Sequence, residues 1–209
     1  MKVWLVRHGE TEFNTGAPRF RGTYEIGLSD AGKAQAKAVG EGLAKEVKFD
    51  VIYYSRLSRA KETAQAIKSH QPSARFEEED LLYDMSFGEW QGQLVTDVFP
   101  TEEEMLRWRQ RPTSIAIPGG DSFYGIISQI HNLFLKLRAS TSTNVCLVTH
   151  RALIHLILCY LLKIDPDHFW DFECWTGSIS RFDLLPNNRF KLINFNDTRY
   201  VHHLLTHLT

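Results

Sequence analysis

The stretch VCLVTHRALI, Val145 to Ile154, decides the fold class that this chain predicts. Four apolar residues give a buried-strand pattern, Thr149 and His150 follow, and an apolar helical segment begins at Arg151. A strand that leads directly into a helix is typical of α/β folds with parallel sheets. The stretch therefore predicts such a fold, with a histidine at the carboxyl end of one strand.

Two other apolar runs end in polar residues in the same way. They are Val3 to Val6, before Arg7 and His8, and Val51 to Tyr54, before Ser55 and Arg56. In an open α/β sheet, ligands bind outside the carboxyl ends of the strands. We therefore expect these histidines and arginines to surround one pocket.

The remaining segments continue the alternation of strands and helices. Helices are predicted after the Ser29 cap, around Leu57 to Ile67, over Thr101 to Arg109, and over Phe123 to Leu137; strands are predicted at Arg75 to Glu77, around Ile179 to Leu184, and around Phe190 to Phe195. Leu81 to Gly92 has no clear period and is predicted to be a loop. The sequence predicts a three-layer α/β/α sandwich with a mostly parallel central sheet, in a single domain over residues 1–209.

The composition is that of an ordinary soluble globular protein. Of 209 residues, 43% are hydrophobic and 23% are charged, with a formal net charge of -1. This balance creates no field that would attract nucleic acid or an acidic membrane. The first residues lack a signal-peptide pattern and no apolar stretch is long enough to span a bilayer. We expect a cytoplasmic protein with no nucleic-acid or membrane partner, acting as a monomer or homodimer.

Neither the cysteines nor the late histidines predict a metal site. Cys146, Cys159 and Cys174 lack metal-like spacing and are expected to be buried, reduced thiols. His202, His203 and His207 lie without clustered acids or cysteines, which favours a surface tail. No metal and no cofactor are expected.

The residues at the strand ends suit a dianionic phosphate. Guanidinium groups bind phosphate oxygens in pairs, and an imidazole can act as nucleophile or proton donor. A lone histidine at a strand end is more often structural, but two of them beside arginines favour a catalytic pocket.

Four sequence blocks resemble the signature blocks of the histidine phosphatase superfamily, the phosphoglycerate mutase-like clan. They are LVRHGETEFN from Leu5, YSRLSRAKETA from Tyr54, LLYDMSFGEWQG from Leu81 and VTHRALI from Val148. The blocks follow the family order, and the resemblance runs from residue 3 to about 195. Within the family, the chain is most similar to small bacterial phosphatases of the α-ribazole-5'-phosphate phosphatase type.

The resemblance implies a metal-independent phosphatase that forms a phosphohistidine. His8 would be the nucleophile, and Arg7, Asn14, Arg59 and a cationic His150 would hold the phosphoryl oxygens. Gly9, which lacks a Cβ, would give the substrate room. The substrate would be a small phosphorylated metabolite, with α-ribazole-5'-phosphate of cobalamin biosynthesis as a candidate. The alternatives are a phosphoglycerate mutase-like phosphoryl transferase and a phospho-ligand-binding protein with little turnover.

The leaving alkoxide needs a proton donor, and two acids compete for this role. Alignment places Asp84 where the family commonly has glutamate, and Glu89 is the rival. Arg21 and Glu89 are further candidates for substrate binding. Two other departures from the family pattern, Arg56 and Arg151, would bind a second anionic group or pair with carbonyls and surface acids. The segment around Trp108 is expected to pack as a lid over the pocket.

Overall fold

The computed structural model describes residues 1–205, which contain a six-stranded sheet. The strands are β1 (Lys2–Arg7), β2 (Val51–Tyr54), β3 (Arg75–Glu78), β4 (Asn144–Thr149), β5 (Ile179–Leu184) and β6 (Phe190–Asp197). Their order is β3-β2-β4-β1-β5-β6. The first four are parallel, whereas β5 runs antiparallel to β1, and β6 runs antiparallel to β5. The prediction of a mostly parallel sheet is confirmed.

Within residues 1–205, six α-helices and several short 3₁₀ turns accompany the strands. The helices are α1 (Asp30–Glu46), α2 (Ser58–Ser69), α3 (Val95–Val98), α4 (Glu102–Gln110), α5 (Phe123–Ala139) and α6 (Arg151–Leu162). Three of these helices begin at predicted N-cap residues. The side chains of Ser29, Thr101 and Ser122 each accept a hydrogen bond from a first-turn amide. The predicted loop from Leu81 to Gly92 contains the 3₁₀ turn Gly88–Trp90 and most of another, Asp80–Leu82.

The alternation of side chains along β1 explains the three layers. Val3 and Leu5 belong to the core that includes α5 and α6, and Trp4 and Val6 belong to the core that includes α1 and α2. Because both faces of the strand are covered, it is a continuous apolar run rather than an alternating one. The predicted α/β/α sandwich is therefore confirmed.

The parallel register brings the predicted polar residues to one edge. Arg7 pairs with Thr149, and Val148 pairs with both Val6 and Tyr54. The residues that follow these strands therefore emerge side by side. In the same described region the three cysteines are buried and free, and no helix has the length and apolarity to cross a membrane.

Candidate active site

A pocket of about 590 Å³ opens at the carboxyl edge of the sheet. Of the predicted site residues, Arg7, His8, Asn14, Arg21 and Asp84 line it. Arg59 and His150 are completely buried, and both lie against Asp84. The sequence motifs therefore converge on one site, with two of the predicted residues behind its surface.

His8 follows β1 and has one imidazole nitrogen fixed by the backbone. Its Nδ1 lies 2.7 Å from the carbonyl oxygen of Gly9. Because a carbonyl only accepts, Nδ1 carries the proton and Nε2 keeps its lone pair. Burial, together with the charges of Arg59, Arg7 and Arg21, lowers the pKa of His8 well below its usual value. The imidazole is thus neutral, with one basic nitrogen.

Gly9 is required by backbone packing. Its amide donates to Thr63 Oγ1 at 3.0 Å, and a Cβ at this position would lie 2.5 Å from the carbonyl oxygen of Gly32 in α1. The close approach of α1, rather than room for substrate as the sequence suggested, explains the glycine. The first turn of α1 thereby supports the segment that carries His8.

Arg7 and Arg21 bring positive charge into the pocket. Arg7 donates to the carbonyl of Cys174, and Arg21 Nη1 donates to Asn14 Oδ1 at 2.9 Å. The same Asn14 oxygen accepts from the amide of Thr11 at 2.9 Å, so Asn14 orients Arg21. Burial lowers the pKa of Arg7 to about 10 and that of Arg21 to about 9, and both remain cations at neutral pH.

The terminal nitrogens of Arg59, in the first turn of α2, donate hydrogen bonds to acceptors within the protein. Nη1 donates to the carbonyl of Tyr24 at 2.9 Å, and Nη2 donates to the carbonyl of Gly22 at 2.7 Å and to Asp84 Oδ2 at 3.1 Å. The guanidinium therefore ties Asp84 and the segment 22–24 together from behind the pocket. This geometry makes Arg59 a support of the carboxyl group as well as a nearby charge.

Asp84 is a buried carboxyl group that changes protonation near neutral pH. Its Oδ1 accepts from the amide of Met85 at 3.1 Å, and its Oδ2 faces Arg59. Burial raises its pKa to about 6, although Arg59 and Arg21 act in the opposite direction. An acid with this pKa, lining the pocket with His8, suits proton transfer to a leaving oxygen.

The burial of His150 favours a neutral imidazole over the cationic form that the sequence analysis expects. Burial, with the charges of Arg59 and Arg21, lowers its pKa well below the usual value. Its Nε2 lies 2.8 Å from Ser55 Oγ, and its Nδ1 lies 3.7 Å from Asp84 Oδ2. Its ring centroid is 5.3 Å from that of His8.

Three candidates from the sequence take other positions. Glu89 is exposed on the turn Gly88–Trp90 and is not among the residues lining the pocket, which favours Asp84 over Glu89 as the proton donor and as a substrate-binding residue. Arg56 is also outside the lining and stacks over Tyr83 at 4.2 Å. Arg151 does line the pocket, but it pairs with Glu173 at 3.4 Å.

Helix α4 covers the pocket, as the sequence suggested. Its residues Met105, Trp108 and Arg109 line the cavity, and Trp108 is only 1% exposed. His202 and His203 are exposed, whereas His207 lies outside the described residues. Across residues 1–205, no group of three or more His, Cys, Asp or Glu side chains could hold a metal ion.

Some pocket features have no role in the sequence interpretation. The sequence position of Ser55 marks only the end of a strand and does not predict its contact with His150. Glu173, Trp175 and Thr176 line the pocket beside Arg7, although they lie far away in the sequence. Glu10 also lines it, and its carboxylate accepts from Ser29 Oγ at 3.0 Å.

Comparisons with known proteins identify the family. The model of the histidine phosphatase superfamily, branch 1, matches residues 3–198. Phosphoserine phosphatase 1 of Hydrogenobacter thermophilus is 32% identical over 182 residues, which cover 86% of this chain and 85% of that protein. The adenosylcobalamin/alpha-ribazole phosphatase of Salmonella typhimurium is 29% identical over 188 residues, which cover 88% of this chain and 91% of that protein.

A solved structure agrees with the sequence relatives. Mycobacterial glucosyl-3-phosphoglycerate phosphatase superposes with a TM-score of 0.83 at 25% identity, covering 94% of this chain and 98% of that one. The fold, the sequence relatives and the family model therefore lead to the same assignment. The chain belongs to branch 1 of the histidine phosphatase superfamily and is a phosphoric monoester hydrolase.

Proposed function

We propose that this hydrolase cleaves a small phosphomonoester through a phosphohistidine on His8, without a metal ion. The hydrogen bond between His8 Nδ1 and the Gly9 carbonyl carries the proposal, since it leaves Nε2 unprotonated inside a pocket that Arg7 and Arg21 also line. A nucleophile that is neutral at working pH needs no separate base for its first attack.

In the first step, the phosphoryl group lies between the guanidinium groups of Arg7 and Arg21. Nε2 of His8 forms a bond to phosphorus while the bond from phosphorus to the ester oxygen breaks. Asp84 gives its proton to the departing alkoxide and becomes a carboxylate. The arginines balance the negative charge on the equatorial oxygens, which is the main demand of phosphoryl transfer.

In the second step, water releases the phosphoryl group from His8. The Asp84 carboxylate takes a proton from the water as its oxygen bonds to phosphorus, and the bond from phosphorus to nitrogen breaks. Inorganic phosphate leaves, and both Asp84 and His8 return to their starting states. Arg59 and His150, which lie against Asp84, hold the carboxyl group in place through the cycle.

The substrate we propose is a small phosphorylated metabolite, with α-ribazole-5'-phosphate as the first candidate. The names of the relatives specify phosphoserine, alpha-ribazole and glucosyl-3-phosphoglycerate phosphatases. These names differ in the alcohol and share the phosphate, so the phosphate end is the part of the pocket that the proposal rests on.

We also infer a single-domain cytoplasmic enzyme that works as a monomer or homodimer, with no nucleic-acid or membrane partner. The three buried free thiols support a reducing compartment. The near-zero net charge supports the absence of nucleic-acid binding.

The direct experiment is an assay on nitrophenyl phosphate in the presence of EDTA. His8→Ala is expected to lower kcat by at least about a thousandfold, whereas the control His202→Ala, an exposed histidine, keeps full activity. Intact mass after rapid quenching at alkaline pH should show one added phosphoryl group on the wild-type enzyme and none on His8→Ala. A phosphoenzyme in the His8→Ala variant would overturn the assignment of the nucleophile.

Two further incubations test the alternatives. Conversion of 3-phosphoglycerate in the presence of its bisphosphate primer would indicate a mutase. Tight vanadate binding without turnover of any ester would indicate a phospho-ligand-binding protein.

A further inference from the structure

Beyond its charged end, the pocket has an aromatic wall. Phe13, Trp108, Phe169, Trp170 and Trp175 line it, and we call these five side chains the aromatic wall. They come from the turn after β1, from α4, from the 3₁₀ segment Pro166–Asp171, and from the residues before β5. The wall is thus assembled from four separated parts of the chain.

Ring contacts hold much of this wall in place. Trp108 meets Trp170 edge to face with centroids 5.7 Å apart, and Trp170 meets Phe169 in the same way at 4.8 Å. Trp108 also packs against Phe20, at 5.6 Å. Because these rings are already ordered by folding, a ligand that contacts them loses little additional conformational freedom of the protein.

Three charged groups near the wall are engaged by other protein groups, whereas Arg109 also lines the pocket and is exposed. The guanidinium of Arg151 lies 5.5 Å from the Trp170 ring and pairs with Glu173, whose carboxylate also accepts from the Cys174 amide. Arg19 donates to the carbonyl of Gly92 at 2.8 Å. A small polar alcohol would leave the exposed parts of Phe13, Trp170 and Trp175 in contact with water.

We infer that the enzyme selects phosphomonoesters whose alcohol carries a flat, apolar ring over those of small polar alcohols, an inference that rests on the proposed function. The phosphate occupies the end formed by Arg7, His8 and Arg21, and the ring packs against the aromatic wall. Apolar contact of this kind lowers the free energy of the enzyme–substrate complex and of the transition state, and it therefore raises kcat/KM.

The test compares two alkyl phosphates that differ only in the ring. Phenylethyl phosphate and ethyl phosphate are both esters of primary alcohols, so the chemical step is similar. We expect kcat/KM for phenylethyl phosphate to exceed that for ethyl phosphate by about tenfold or more, mainly through KM. Phosphoserine is expected to resemble ethyl phosphate.

Variants of the wall identify the source of the preference. Trp175→Ala and, independently, Phe13→Ala are expected to reduce the ratio between the two esters at least about threefold. Both side chains are partly exposed, which favours folded variants. Phe190→Ala removes a partly buried ring at the far end of β6 and should not alter the ratio.

The outcomes separate this inference from the proposed function. Equal kcat/KM for the two esters, with turnover that still requires His8, would overturn the ring preference and leave the phosphatase mechanism intact. A preference that survives both wall variants would also overturn it. Failure to turn over any ester, nitrophenyl phosphate included, would refute the proposed function itself.

Discussion

The hydroxyl oxygen of Ser55 lies 2.8 Å from Nε2 of His150, where β2 and β4 end side by side. Both residues are completely buried. Nδ1 of His150 has no hydrogen-bond partner within residues 1–205 and lies 3.7 Å from Asp84 Oδ2. A carboxylate attracts a protonated Nδ1, and that tautomer leaves Nε2 to accept from Ser55. We expect Ser55 to set the tautomer of His150.

Removing this hydroxyl should weaken catalysis. Ser55→Ala is expected to lower kcat/KM by about 10- to 100-fold, the range found when the partner that orients a functional histidine is lost. Ser55→Thr, which retains a hydroxyl, should recover part of the activity. NMR shifts of the imidazole nitrogens should show a protonated Nδ1 on His150 in the wild type and a changed tautomer in Ser55→Ala.

A matched control separates positioning from packing. Ser180 is also buried, and its Oγ accepts from the amide of Asn196 at 3.1 Å on β5, outside the pocket lining. Ser180→Ala should lower thermal stability without changing the His150 signals. A wild-type His150 protonated on Nε2 would refute the proposed role of Ser55.

Asp84→Asn should slow the hydrolysis of phosphate esters by an amount that depends on the leaving group. An alkoxide needs a proton as it departs, whereas nitrophenolate leaves without one. We expect the variant to lose far more activity on ethyl phosphate than on nitrophenyl phosphate, as measured by kcat/KM on both. Glu89→Gln, at the exposed rival acid, should behave as the wild type. The reverse pattern would assign the proton donor to Glu89.

The pH profile should reflect the raised pKa of Asp84. Because that pKa is about 6, the proton-donating form predominates below this pH and is lost above it. The ratio of kcat/KM for ethyl phosphate to that for nitrophenyl phosphate should therefore fall as pH rises through about 6. Using the ratio removes most of the effect of the substrates' own ionisation. A ratio that stays constant from about pH 5 to pH 8 would contradict the assignment.

Arg21→Ala should remove one of the two cations that line the phosphate end. Its guanidinium is oriented by Asn14 and lies with Arg7 and Asp84 along the pocket. The loss of one preorganised donor predicts a fall of about 100- to 1,000-fold in kcat. Arg56→Ala is the matched control, since Arg56 stacks on Tyr83 outside the pocket. Steady-state kinetics on nitrophenyl phosphate measure both, and similar losses would refute the assignment of Arg21.

The sheet and its polar edge could be predicted because their signals are local. A buried strand such as Val145 to Val148 is an apolar run, and His150 directly follows it. Asp84 was found through the family block rather than through periodicity. These features are determined by residues that are adjacent in the sequence, so one sequence is enough to predict them.

The features that the sequence did not predict depend on distant contacts or on burial. Arg7 meets Cys174 across most of the chain, and nothing near either residue marks the pair. The charge state of His150 follows from its complete burial among arginines, which its sequence neighbours do not reveal. The requirement for Gly9 likewise arises from α1, whose position is set by tertiary packing.

The aromatic wall has a consequence for how such enzymes diversify. Trp108, Trp170 and Trp175 lie outside all four sequence blocks, whereas Phe13 lies in the block that contains His8. Mutation of the connecting segments can therefore reshape the half of the cavity that meets the alcohol while the reacting groups stay fixed. Most of the wall therefore lies on other stretches of the chain than His8 and Asp84, so the inferred selectivity can change while these reacting groups are kept.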